Sequence, residues 1–137
     1  MDTPLELTDV EFEAKFDDCT LNPLLFNHEA HIRLAWIHIK KYGPNIAIDN
    51  ICTQIKRFDA KHGDGTKFHT TLTIASVKTV YHFFLKSKSD TFQDFILEFP
   101  RLKTGFKGLI TSHYGINVFA SEEAKKVFIE PDLLPFD

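Results

Sequence analysis

His28 and His31 stand three residues apart in FNHEAHIRLAW, and His69 follows in KFHTTLT. Imidazole changes charge near neutral pH, and its neutral form is a common metal ligand. On a helix, positions i and i+3 share a face with Cβ atoms about 5–6 Å apart, so two rings can reach one ion. The pair alone is weak evidence, because seven histidines in 137 residues place an H-x-x-H somewhere by chance in roughly one such sequence in three. Nor is it the H-E-x-x-H of zinc proteases. Glu29 follows His28, but the second histidine comes one residue early.

His69 strengthens the case. It opens a second expected helix as His28 opens the first, and the positive end of a helix disfavours imidazolium and keeps the ring neutral, as a ligand must be. Three neutral histidines would leave a divalent ion's charge uncompensated near two such ends. A metal site here therefore needs an anion, from Asp17, Asp18, Glu130 or Asp132, from hydroxide, or from a substrate carboxylate. Three histidines with one exchangeable position are the arrangement of catalytic zinc, and they also suit iron. In that reading Glu29, Tyr114 and Asp132 are the candidate acid–base groups. His38 shares the face of His31 but lies about 10 Å along the axis, too far to join the ion, and is expected at a rim or on the surface. His62 reads as a turn residue, His82 as a half-exposed helix residue, and His113 as a weaker candidate ligand. The competing reading is that all are structural histidines bonded to nearby backbone.

The elements that must position these residues are helical. Thr8 and Glu11 form a capping-box pattern opening a helix with Phe12 and Phe16 at i, i+4. Asn27 is a good N-cap for a helix over 27–42, closed by Gly43-Pro44. A third helix covers about 45–61, with Ile48, Ile51, Cys52, Ile55 and Phe58 at helical spacing. A fourth spans about 67–86, with Leu72, Ala75, Thr79 and Phe83 on one stripe of a broad apolar face, making it the expected central helix. Its β-branched run at 70–74 would suit a strand, but the helical spacing continues for several turns beyond it. Asp90 or Thr91 caps a short helix ending before Pro100. Residues 101–120 read as one short helix and an irregular stretch, and Ser121 caps a last helix over 122–128. The tail FIEPDLLPFD holds two prolines and reads as an extended strap anchored by Leu133, Leu134 and Phe136. The expectation is an all-α fold, a single helical domain over residues 1–137, bundle-like, with about five to seven helices and an extended Pro-containing tail.

Composition excludes several classes. A net charge of −3 and thinly spread Lys and Arg argue against nucleic-acid binding. No uncharged stretch approaches the ~20 apolar residues of a membrane helix. The acidic MDTPLELTDVEF lacks the basic and apolar regions of a signal peptide. Cys19 and Cys52 lack chelating spacing and read as reduced thiols, which points to the cytoplasm. Fourteen phenylalanines predict an aromatic core, and such residues can equally line an apolar pocket.

The segments FNHEAHIRLAW, IKRFDAKHG…KFHTTLT and ASEEAKKVFIEPD together resemble a family of small uncharacterised bacterial proteins, all-helical, over most of the chain after residue 24. The shared pattern is an aromatic-x-H-x-x-H-[LI]-R-x-A segment, a [YF]-H-x-T segment and a closing S-x-x-A-x-x-x-F-x-x-P-D. The three histidines match at His28, His31 and His69. The family's acidic position within Y-H-E-T falls on Thr70 here, and its threonine on Thr71. The resemblance implies which residues matter and carries no reaction with it.

Three readings follow. The first is a small metal-dependent enzyme holding zinc or iron at His28, His31 and His69 and acting on a small molecule. The second is a non-catalytic module gripping a small anion at helix N-termini, with Arg33 or Lys67 nearby. The third is a helical protein-interaction module whose histidines are structural.

Overall fold

The computed structural model describes residues 7–136; the first six residues of the acidic N-terminal segment lie outside them. Among the described residues there are eight α-helices, one 3₁₀ turn and no strand, so the fold is all-α as expected. None of these helices is long and apolar enough to cross a membrane. By contact density the chain divides into two compact units, Met1–Phe68 and His69–Asp137.

The first unit holds α1 (Asp9–Asp17), a 3₁₀ turn (Pro23–Leu25), α2 (His28–Tyr42) and α3 (Pro44–His62). Each start has a local cause. Thr8 and Glu11 complete both bonds of the capping box, and the Asn27 side chain accepts from the Ala30 N–H at 2.9 Å. Such bonds satisfy N–H groups that the first helical turn leaves without partners. Gly43, at φ +85°, joins α2 to α3. That left-handed conformation suits glycine, and Pro44 follows at the first helical position, where its missing N–H costs nothing.

Within this unit α2 packs against both α1 and α3, and it is buried continuously from Ile32 to Ile39. Two polar side chains are carried inside with it. Arg33 donates to the Leu7 carbonyl at 2.6 Å and to Asp9 at 2.9 Å, and its guanidinium lies 4.8 Å from the Phe12 ring centre. His38, expected at a rim or on the surface, is fully buried. Its Nδ1 faces the Asn50 amide of α3 at 3.5 Å. The correction has a simple cause: with neighbours on two sides, α2 has little solvent face to offer.

The second unit holds α4 (Thr70–Lys86), α5 (Phe92–Glu98), α6 (Arg101–Thr104), α7 (Phe106–Thr111) and α8 (Glu122–Lys126). The β-branched run is helical, with Thr70 and Thr71 turning their hydroxyls to the carbonyls of Lys126 and Val127 and other threonines of α4 bonding back within the helix. Thr73 donates to the His69 carbonyl at 2.7 Å and Thr79 to the Ala75 carbonyl at 2.8 Å, a pattern open to Thr in helices. Residues 101–120, expected as one short helix and an irregular stretch, form two short helices, α6 and α7, and then a non-helical stretch. Thr91 and Ser121 cap α5 and α8. The core of this unit gathers Ala75, Ile110, Tyr114, Val118, Ala124 and Phe136.

The tail is a strap in this unit, held mainly through its backbone. The buried Thr71 hydroxyl donates to the Val127 carbonyl at 2.8 Å and accepts from the Ile129 N–H at 3.0 Å. The Leu133 N–H reaches the His113 carbonyl at 3.0 Å. Of the three expected anchors only Phe136 is buried; Leu133 and Leu134 are exposed.

Candidate binding site

His31 lies on the fourth residue of α2 with its ring stacked on Phe26, centroids 3.8 Å apart. Phe26 in turn lies 4.5 Å from Phe16 and 5.3 Å from Phe58, and His62 lies 4.6 Å from Phe58. Three elements bring these rings together. The turn after Pro23 delivers Phe26, α2 delivers His31, and α3 delivers Phe58 and, one turn later, His62. The rings border a cavity of about 250 Å³, completed by Pro23, Ile55, Asp59, Gly63, Lys67 and Phe68.

The polar groups of this cavity differ in how far they are committed. Asp59 is buried, and one of its carboxylate oxygens accepts from the backbone N–H groups of Lys67 and Phe68 at 2.8 and 3.2 Å. It holds the 63–68 loop against α3. Gly63 permits this, since a Cβ there would lie 2.5 Å from the other carboxylate oxygen. His62 Nε2 donates to the Cys19 carbonyl at 2.7 Å. Lys67 is exposed and forms no ion pair with a described residue, although its charge acts on the nearby Asp64 carboxylate. The His31 side chain keeps solvent-accessible surface, yet protein atoms crowd its ring. Crowding first, and the charge of His28 second, lower its pKa below the ordinary 6.5, and the open side moderates that depression. At neutral pH the ring is an uncharged hydrogen-bonding group.

His28 and Glu29 occupy the first two positions of α2, as expected. His69 belongs to the second unit and is the N-cap of α4 rather than a first-turn residue. Its Nδ1 accepts from the Leu72 N–H at 3.1 Å, so the neutral ring carries its proton on Nε2, which donates to the Val118 carbonyl at 3.0 Å. Both nitrogens are engaged, and ligation would require releasing one bond. Tyr114 is buried and donates to the Ile129 carbonyl at 2.7 Å. Desolvation, then the charges of Glu130 and Asp132, push its pKa up to about 12, which keeps its proton out of reach of neutral-pH chemistry. Asp132 accepts from the Gly115 N–H at 2.8 Å. Asp17 pairs with Arg57 at 3.1 Å, and Asp18 accepts from Thr20. Among the described residues no group of three or more His, Cys, Asp or Glu is arranged to hold a metal ion.

Sequence reasoning singled out His31 and Lys67 but missed the rings around them. Phe26 and Phe58 are separated by 32 positions and joined by no periodicity. The one available signal was the H-x-x-H neighbour Phe26 itself, an aromatic directly before an N-cap. No protein-family model, curated protein or solved structure matches this chain.

Proposed function

We propose that this protein is a non-catalytic binding module for a small, single-ring organic anion, held in the cavity of the first unit. One observation carries the reading: an aromatic-walled space with an ammonium group at its rim that no described carboxylate pairs. The volume of about 250 Å³ exceeds the ~150 Å³ of an apolar cavity that takes up benzene and falls below the usual ~300–1,000 Å³ of drug-sized ligand sites. A ring with one carboxylate fits that size. Its body would lie against Phe26, Phe58, Phe68 and Ile55, while Lys67 would supply a charge-assisted hydrogen bond. Neutral His31 adds a polar contact without a second charge.

Calorimetric titration with benzoate at constant ionic strength tests this. Benzoate is expected to bind, Lys67→Gln to weaken it by about tenfold or more, and Ile55→Trp, which fills the space, to abolish it while the far-UV circular dichroism stays helical. Equal affinity for neutral benzamide, or an unaffected Lys67→Gln, would overturn the reading.

The metal-dependent reading, with zinc or iron at His28, His31 and His69, draws on the shared helical face of the first two. It further requires His69 to give up one of its two hydrogen bonds. Elemental analysis of protein purified without a metal-affinity tag separates the two proposals: stoichiometric metal that disappears in His31→Ala favours the metal enzyme over the anion module.

A further inference from the structure

The second unit contains a cavity of about 340 Å³ whose lining is basic. Lys86 from the end of α4, Arg101 from the start of α6, His82 and His113 border it, and among the described residues no Asp or Glu does. That concentration runs against the composition of the chain, which has 19 acidic against 16 basic residues. Neither Lys86 nor Arg101 forms an ion pair with a described residue. Two permanent cations from separate helices thus border one space with no acid among the described residues there to neutralise them, an arrangement that raises the local concentration of anions.

The strap contributes Pro135 and Phe136 to the lining. Phe136 is buried and lies 4.2 Å from the His113 ring. His113 Nδ1 donates to the Leu134 carbonyl at 2.8 Å, which fixes the ring and leaves Nε2 as its other polar atom. The cavity lining therefore includes both cationic and apolar residues. Arg presents a planar fork of donors that matches phosphate oxygens in pairs, and Lys adds a point charge. A lone carboxylate would use only part of that donor set.

We propose that this cavity is a binding site for a small soluble phosphate monoester, with the phosphate between Arg101 and Lys86 and the organic group against Phe136. The proposal is independent of the ligand assigned to the first unit. Titration of the intact chain with phenyl phosphate at fixed pH and ionic strength tests it, followed by calorimetry and phosphorus NMR. The expected result is saturable binding, tighter than that of inorganic phosphate, which lacks the apolar group. Arg101→Gln and Lys86→Gln, both exposed substitutions that leave the core intact, are each expected to weaken it by about tenfold or more. Because phenyl phosphate is itself a single-ring anion, the titrations are also run in the Lys67→Gln background, where the losses caused by Arg101→Gln and Lys86→Gln are expected to persist. The proposal is overturned if the wild type shows no binding beyond that of chloride at equal ionic strength, or if both glutamine variants bind as the wild type does. Binding to phosphatidic acid vesicles without binding to phenyl phosphate would equally overturn it.

Discussion

Replacing His69 separates its role as a helix cap from a role as a ligand. In His69→Ala the Leu72 N–H loses its acceptor at 3.1 Å and the Val118 carbonyl loses its donor at 3.0 Å. Loss of an N-cap side chain costs about 1 kcal/mol. Leaving the carbonyl of Val118, a fully buried residue, without a partner adds about 1–2 kcal/mol. The expected total is about 2–3 kcal/mol. His69→Asn restores a cap acceptor in the same place, since Asn is among the best N-caps, but its amide is too short to span to Val118. It should recover about 1 kcal/mol. Urea unfolding followed by far-UV circular dichroism is the suitable assay, because the single Trp, Trp36, lies in the first unit and its fluorescence would report there. Acid gives a second readout. Desolvation first, with the Lys125 charge adding to it, lowers the folded pKa of His69 below 6.5, and the bond to Val118 only partly offsets this. The folded state then binds fewer protons than the unfolded chain. The contribution is complete above the ordinary value and is lost as pH falls below it toward the depressed one. His69→Asn should remove that part of the acid slope. A His69→Ala protein within about 0.5 kcal/mol of wild type, or an Asn variant no better than Ala, would refute the cap assignment.

Thr71→Val keeps the volume but removes the hydroxyl that joins Val127 and Ile129 to α4. A loss of about 1–3 kcal/mol is expected, together with faster hydrogen exchange at the Ile129 amide; unchanged protection there would contradict the strap bonding. Arg33→Met should lower stability by about 1–3 kcal/mol in urea titration through the stranded Leu7 carbonyl and Asp9, with Arg33→Lys recovering only part because one ammonium cannot reproduce a fork. In a pH titration followed by NMR, the His31 ring should take up its proton below the ordinary imidazole value, and below that of an exposed reference histidine. A His31 midpoint at or above 6.5 would contradict the crowding described for its ring.

What was legible in the chain was local. The caps at Thr8, Asn27, Thr91 and Ser121 each depend on a side chain and a backbone group three positions away, so spacing alone reveals them. The glycine–proline junction at 43–44 is legible for the same reason. His69 was seen as important but assigned to the wrong position, because histidine is not among the usual N-cap residues and its second bond, to Val118, spans 49 positions. His38 was misplaced because the pattern of one helix does not say how many neighbours will cover it. Leu133 and Leu134 were expected to anchor the strap through their side chains, whereas the backbone of that stretch makes the bonds. The phenylalanine content allows an apolar pocket, but its place is not legible in the chain. Its walls come from the 23–26 turn, two helices and the 63–68 loop, and only the folded chain brings them within contact.

The Thr71 hydroxyl is both donor and acceptor to the strap, a pair of roles that an ionised carboxylate, which only accepts, could not fill.

The anion-binding claim is tested most directly by a nitrogen-15 NMR titration of the whole protein with benzoate, repeated with benzamide and with Lys67→Gln. Saturating shifts confined to Phe26, His31, Phe58, His62, Lys67 and Phe68, greatly reduced for benzamide and in the variant, are the expected result. Shifts that never saturate, fall outside these residues, or match for the charged and neutral ligands would contradict it.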